Sequence, residues 1–150
     1  MKRIALLATG GTIACRKTAR GLAPALCAAD LARLAPALED VQWAPRDVLA
    51  MDSSNIQPEE WSEIAHAADD ALRGCDGVVV THGTDTMAYT AAALSYMMRG
   101  LRKPVVLTGS QLPMEHPLSD APGNLARAAA ACLTDAAGVF VAFDRKLISG

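Results

Sequence analysis

Two segments combine glycine and threonine directly after short apolar runs, and these residues are the best suited to chemistry. The first, Thr9–Ala14, follows the apolar run Ile4–Ala8, and the second, His82–Thr86, follows Val78–Val80. Short continuous apolar runs are typical of buried parallel strands, and ligands bind beyond the carboxyl ends of such strands. The two segments therefore predict one composite site that uses a hydroxyl group as its nucleophile.

Thr12 is the candidate nucleophile of the first segment. A threonine hydroxyl is a weak nucleophile and needs a nearby base, together with donors for the developing oxyanion. The turn at Gly10 and Gly11 could expose backbone N–H groups that serve as such donors. The same residues could instead form only a tight turn, with Thr12 as a helix cap. A phosphate cradle is a third interpretation, but the segment matches neither GxGxxG nor a P-loop.

The second segment offers a carboxylate and further hydroxyl groups. Asp85 lies where a helix is predicted to begin, so the helix dipole would stabilise its anionic form, which could hold an ammonium group. The alternative is ordinary capping of that helix by Thr84 or Asp85. His82 could act as a base, although a single histidine at the end of a strand more often has a structural role.

A third polar cluster, Asp52–Asn55, precedes Pro58, which suits the first turn of a helix. Asn55 is predicted to cap that helix. Ser53 and Ser54 would then remain free to face a ligand.

Two further polar segments have supporting roles in this interpretation. Thr108–Gln111 follows another predicted strand and could support the floor of the site. Asp120–Leu125 opens a helix and is predicted to be structural.

Alternating strands and helices are predicted to position these residues. The predicted strands are Ile4–Ala8, Val41–Met51 at an edge, Val78–Thr81, Pro104–Thr108 and Gly138–Phe143. The predicted helices are Ala28–Ala37, Pro58–Arg73, one that starts at Met87 and ends at Gly100, and Asn124–Leu133. Arg16–Pro24 is predicted as a mobile loop and Arg145–Gly150 as a polar turn. The alternation predicts an α/β fold with a doubly wound, mostly parallel sheet, a flavodoxin-like three-layer sandwich.

Composition limits the classes of partner. The 150 residues are 51% hydrophobic, enough for one domain with a sizeable core. Charged residues make up 20% and the net charge is −2, which argues against nucleic acid or an anionic membrane as partner. Ile4–Ala8 is too short for a secretory signal, so a cytoplasmic location is expected. The four cysteines show no CxxC and no metal-ligand spacing, so no metal site is expected.

Taken together, these segments resemble the bacterial-type L-asparaginase family. The matching pieces are Ala8–Ala14, Met51–Ser54, His82–Met87, Pro104–Gln111 and Asp120–Leu125, and they run in family order through the whole chain. The second and third pieces are most similar to the cytoplasmic type I branch. The first and third pieces together are highly specific.

The resemblance implies hydrolysis of L-asparagine to L-aspartate and ammonia. It makes Thr12 the nucleophile, which attacks the side-chain amide carbon and forms a β-aspartyl ester that water then hydrolyses. Thr84 and Asp85 form the second catalytic group, and Asp85 also pairs with the substrate α-ammonium. Ser53, with Ser54 beside it, holds the α-carboxylate. The substrate-binding residues implied in this way are Gly11, Ser53, Ser54, Gly83, Thr84 and Asp85.

The resemblance implies no metal and no organic cofactor. It implies a small-molecule substrate and a homo-oligomer, with no nucleic acid or membrane partner. Asparagine and glutamine both remain open as substrates, because one methylene is worth only ~1–3 kcal/mol of discrimination.

Three departures from the family pattern bear on activity. Leu22 occupies the position where the family usually has a tyrosine. The family lysine is expected a few residues past Gly150, and Lys146 lies too early to replace it by simple alignment. The resemblance covers the family's larger N-terminal domain, so residues 1–150 are expected to form that domain without the family's smaller C-terminal domain. The alternative is therefore a catalytically weak or inactive amino-acid-binding domain, with a dinucleotide- or phosphate-binding module as a remote third interpretation.

Overall fold

The chain forms eight strands and four α-helices in a computed structural model that describes residues 1–150. The strands are β1 (Lys2–Gly10), β2 (Cys15–Thr18), β3 (Gly21–Pro24), β4 (Val41–Met51), β5 (Gly77–Thr81), β6 (Pro104–Thr108), β7 (Gly138–Phe143) and β8 (Lys146–Ser149). The helices are α1 (Ala28–Leu34), α2 (Pro58–Leu72), α3 (Met87–Met97) and α4 (Ala121–Leu133). Two short 3₁₀ turns cover Thr12–Ala14 and Ser53–Asn55. None of the helices combines the length and apolar character that crossing a bilayer requires.

Six strands form the main sheet in the order β4-β1-β5-β6-β7-β8. The first five are parallel, and β8 runs antiparallel to β7. Taken in chain order, the parallel strands lie as second, first, third, fourth and fifth, which is the flavodoxin-like arrangement. The predicted doubly wound, mostly parallel α/β fold is therefore confirmed. Pro45 is tolerated in β4 because this strand lies at the edge of the sheet, as predicted.

Helices cover both faces of the sheet, so the molecule has two hydrophobic clusters. Side chains of the central strands alternate between the clusters, since successive residues of a strand point to opposite faces. One cluster joins strand residues such as Leu6 and Val79 to α1 and α4. The other joins Leu7, Val78 and Val80 to α2 and α3. Burial on both faces explains why the central strands are almost continuously apolar.

Several helix ends differ from the sequence prediction: α3 ends at Met97 rather than Gly100, and α4 begins at Ala121 rather than Asn124. Helix α1 ends at Leu34 rather than Ala37, because Ala35 precedes a proline and adopts an extended conformation. Asn55 does not cap α2. The cap is Gln57, whose backbone N–H donates to Glu60 Oε2 at 2.7 Å in a capping box.

Two segments predicted as irregular form hairpins instead. The predicted loop Arg16–Pro24 lies within an antiparallel hairpin of β2 and β3, which forms a separate two-stranded sheet. The predicted turn Arg145–Gly150 contains β8. The turn before β8 places Asp144 and Arg145 at φ 42° and 64°. Asn-Gly or Asp-Gly is the usual signal for such a turn, so Asp-Arg did not indicate a hairpin.

Candidate active site

Three loops at the carboxyl edge of the sheet meet at one pocket of about 260 Å³. The loops follow β1, β4 and β5, where the strand order reverses and α/β sheets bind their ligands. The pocket is lined by Gly11, Thr12, Cys15, Leu22, Pro24, Met51, Asp52, Ser53, Gly83, Thr84 and Asp85. The structure thus brings together every predicted site residue except Ser54.

Close contact between backbones holds the three loops together. Gly11 has φ +80°, and a Cβ atom built there would lie 2.5 Å from the backbone nitrogen of Gly83. A Cβ atom on Gly83 would lie 2.5 Å from Ser53 Oγ. The loops after β1, β5 and β4 therefore stack in that order, and the two glycines are required because no side chain fits between the loops.

Thr12 begins the 3₁₀ turn that follows β1, and the cap of that turn is Gly11. The helix-cap interpretation of Thr12 is therefore wrong. The Thr12 side chain is half-buried at the pocket wall, and its hydroxyl makes no hydrogen bond within the chain. It is thus free to meet a ligand.

Neither Thr84 nor Asp85 caps helix α3, because the residue that caps this helix is Thr86. Thr86 instead donates from its hydroxyl to the backbone oxygen of Ser53 at 2.8 Å. This bond ties the loop after β5 to the loop after β4. Thr84 is half-buried and Asp85 is exposed, and both line the pocket.

Ser53 and Ser54 have different environments. Ser53 is only 2% exposed and lines the pocket. Ser54 is exposed, and its backbone N–H and its hydroxyl donate to Asp52 Oδ1 at 2.9 Å and 2.8 Å. These two hydrogen bonds lower the pKa of Asp52 below its usual value. Ser54 therefore supports the loop from outside the pocket.

The hairpin of β2 and β3 forms one wall of the pocket through Leu22 and Pro24. Arg16 in β2 forms a two-pronged salt bridge with Glu115, with both N–O distances 2.7 Å. This pair anchors the hairpin to the loop after β6, and it lowers the pKa of Glu115.

Cys15 and Pro24 line the pocket although sequence reasoning did not count them as site residues. The two residues are paired directly across the hairpin. Only recognition of the hairpin could have placed them side by side at the site. Burial, together with the nearby Asp52 carboxylate, raises the pKa of the Cys15 thiol.

The loop after β6 supports the site from below. Gly109 packs directly against the backbone oxygen of His82. Asn124 donates from Nδ2 to the backbone oxygen of Gly109 at 2.9 Å, and Asp120 accepts from the backbone N–H of Gln111. The structural role predicted for Asp120–Leu125 is confirmed. No group of three or more His, Cys, Asp or Glu residues is arranged to hold a metal ion.

Comparison with known proteins agrees with this geometry. The family model for the N-terminal region of asparaginases matches residues 3–150. The chain is 46% identical over 150 residues to the L-asparaginase of Thermococcus kodakarensis, covering 99% of this chain and 46% of that protein. It is 47% identical over 143 residues to a glutamyl-tRNA(Gln) amidotransferase subunit of the same organism, covering 92% of this chain and 32% of that protein.

Two solved structures are similar over nearly the whole chain. The thermostable L-asparaginase from Thermococcus kodakarensis matches with a TM-score of 0.90 and 45% identity, over 98% of this chain and 45% of that chain. L-asparaginase I from Vibrio cholerae matches with a TM-score of 0.87 and 34% identity, over 99% of this chain and 46% of that chain. The chain thus spans less than half the length of these relatives. The motifs, the fold and these matches together show that the chain belongs to the asparaginase family and corresponds to its N-terminal region.

Proposed function

We propose that this chain carries the nucleophile and the amino-acid pocket for hydrolysis of the side-chain amide of L-asparagine, which gives L-aspartate and ammonia. The observation that carries the proposal is the unpartnered Thr12 hydroxyl in one pocket with Ser53, Thr84 and Asp85. A pocket of about 260 Å³ suits an amino acid. Membership of the asparaginase family supports the same reaction class.

In the proposed reaction the Thr12 oxygen attacks the amide carbon and its proton passes to a base. The C–N bond then breaks, the leaving nitrogen takes up a proton as ammonia departs, and a β-aspartyl ester remains on Thr12. Water attacks this ester, releases aspartate and restores the hydroxyl. Backbone N–H groups of the glycine-containing loops would stabilise the oxyanion in both steps.

Thr84 and Asp85 form the second group of the proposed mechanism, in which Thr84 relays a proton. The family lysine that would assist Thr84 is expected beyond Gly150, and Lys146 lies on β8, away from the pocket lining. Loss of a general base typically costs about 10²–10⁴-fold in rate. We therefore expect residues 1–150 alone to form a weak or inactive enzyme that still binds amino acid.

Substrate recognition would rest on charge and hydrogen bonding. The Asp85 carboxylate would pair with the α-ammonium group, while the Ser53 hydroxyl would donate to the α-carboxylate. Asparagine and glutamine both satisfy these contacts. As the family resemblance implies, we further propose that the protein acts in the cytoplasm as a homo-oligomer.

A second candidate is amide hydrolysis within an amidotransferase. It is favoured by the 47% identity to a glutamyl-tRNA(Gln) amidotransferase subunit. The two candidates share the proposed nucleophile but differ in what receives the ammonia. Release of free ammonia from asparagine by the purified chain alone would favour the first.

The test compares wild type with Thr12→Ala, using ammonia release from asparagine and calorimetry with aspartate. We expect Thr12→Ala to abolish ammonia release while aspartate binding survives, because Thr12 supplies the attacking oxygen but little ground-state affinity. Thr134→Ala is the matched control, since that hydroxyl bonds only near the end of α4. Retention of a substantial rate by Thr12→Ala would refute the nucleophile assignment. A wild type that neither releases ammonia nor binds aspartate would refute the proposed function.

A further inference from the structure

His82 lies beside the pocket without lining it, and both of its ring nitrogens are engaged. The residue is completely buried at the end of β5. Its Nδ1 atom lies 2.7 Å from the backbone oxygen of Gly83, and its Nε2 atom lies 2.9 Å from Thr90 Oγ1. Trp61 donates from Nε1 to the same Thr90 hydroxyl at 3.0 Å. The chain of hydrogen bonds therefore runs from α2 through α3 to the pocket.

The chemistry of the end groups sets the direction of every bond in this chain. The Gly83 carbonyl can only accept, so Nδ1 of His82 must carry a hydrogen. The Trp61 indole can only donate, so the Thr90 oxygen accepts from it. The Thr90 hydroxyl has no other acceptor within reach, so its own hydrogen goes to Nε2. This pattern requires neutral His82 with its hydrogen on Nδ1. Burial agrees with it, because burial lowers the pKa of His82.

The bond to Gly83 orients a peptide group of the pocket. A trans peptide is planar, and its C=O and N–H point in opposite directions. Because the Gly83 oxygen is hydrogen-bonded to His82, the N–H of Thr84 must point away from His82, in the opposite direction within that plane. That N–H has no partner within the chain, and both Gly83 and Thr84 line the pocket. Gly83 has no side chain of its own to hold this orientation.

We propose that His82 is a positioning residue, which aims the Gly83–Thr84 peptide into the pocket while Thr90 and Trp61 hold its ring. The inference rests on the proposed amide hydrolysis and deepens it. His82 does not touch the substrate. Its loss would leave the Thr84 N–H misdirected, at the point where charge develops in the reaction.

Two variants at the same position separate this role from simple core packing. In His82→Asn the amide nitrogen can take the place of Nδ1 and donate to the Gly83 oxygen. His82→Gln places an amide near Nε2, keeps a partner for Thr90 and loses the bond to Gly83. Both variants remove the ring and leave a comparable space, so a packing role predicts similar losses in both.

The experiment measures ¹⁵N shifts of the His82 ring, the amide resonance of Thr84, aspartate affinity, and kcat and KM for asparagine. In wild type we expect a neutral ring with hydrogen on Nδ1 at pH 7. We expect His82→Gln to shift the Thr84 amide and lower kcat by about 10-fold or more, since small misplacements of a catalytic group cost up to about 100-fold. KM should change by less than about twofold, and His82→Asn should restore most of kcat.

The proposal is overturned if the ring carries its hydrogen on Nε2, or if the two variants show the same Thr84 amide shift. It is also overturned if His82→Gln matches wild type in every readout. If wild type neither releases ammonia nor binds aspartate, the proposed function fails separately. The ring tautomer and the Thr84 amide still decide the positioning role in that case.

Discussion

Replacing Gly83 with alanine should separate the loops that build the pocket. The new Cβ atom would lie 2.5 Å from Ser53 Oγ and 2.6 Å from Ser53 Cβ, about 1 Å short of ordinary contact. Ser53 cannot swing away easily, because it is 2% exposed and Thr86 holds its backbone oxygen. Gly83 does not have a positive φ, so alanine adds volume without backbone strain. Overpacking of this kind costs about 1–3 kcal/mol in the free energy of unfolding.

Urea unfolding of purified Gly83→Ala and of two companion variants tests this value. Gly74→Ala is the control, because a Cβ atom there meets nothing within 4 Å. It should be neutral or stabilising by up to about 1 kcal/mol. Adding Ser53→Gly to Gly83→Ala removes both clashing atoms, so the double variant should recover at least about 0.5 kcal/mol beyond additivity. The stacked-loop geometry would be refuted if Gly83→Ala had the same free energy of unfolding as Gly74→Ala. It would also be refuted if the effects of Gly83→Ala and Ser53→Gly were strictly additive.

Three further predictions address binding, pH and the last hairpin. By calorimetry, Asp85→Asn should weaken aspartate binding by roughly tenfold or more and Ser53→Ala by roughly fivefold, because Asp85 pairs two opposite full charges whereas the Ser53 hydroxyl is a neutral donor to a charged group. Equal losses in the two variants would contradict the ammonium role of Asp85. Because burial lowers the pKa of His82, the unfolded chain binds a proton at this residue at pH values where the folded protein does not. The free energy of unfolding should therefore fall below about pH 6.5, by up to about 1.4 kcal/mol per pH unit. Urea unfolding at several pH values should show a weaker pH dependence in His82→Asn. Arg145→Gly should raise stability in thermal unfolding by about 0.5–1 kcal/mol, because Arg145 sits at φ 64°, while Arg145→Ala should gain nothing.

Local sequence signals predicted the scaffold and the centre of the candidate site. Continuous apolar runs marked the parallel strands, because a strand covered on both faces must be apolar throughout. The glycine and threonine residues that follow β1 and β5 marked the loops of the pocket. Parallel strands place their carboxyl ends at one edge, so Thr12 and Asp85 could be assigned to one site although 73 positions separate them.

Such local signals could not predict contacts between segments that are distant in the sequence. The turn before β8 lacks the residues that usually mark hairpins, and the only such residue in the β2–β3 hairpin is Gly21, at φ 112°. Trp61 and Thr90 are 29 residues apart, and their hydrogen bond exists only because α2 and α3 pack on the same face of the sheet.

By itself, the sequence determined the strand and helix alternation, the family and the residue types at the pocket. Tertiary structure alone decided which of those residues face it. Ser53 entered the pocket while the adjacent Ser54 was held outside by Asp52. His82 was buried as a neutral hydrogen-bonding group rather than exposed as a base. The physical reason is that side-chain direction and protonation depend on neighbours supplied by other loops, which no local pattern encodes.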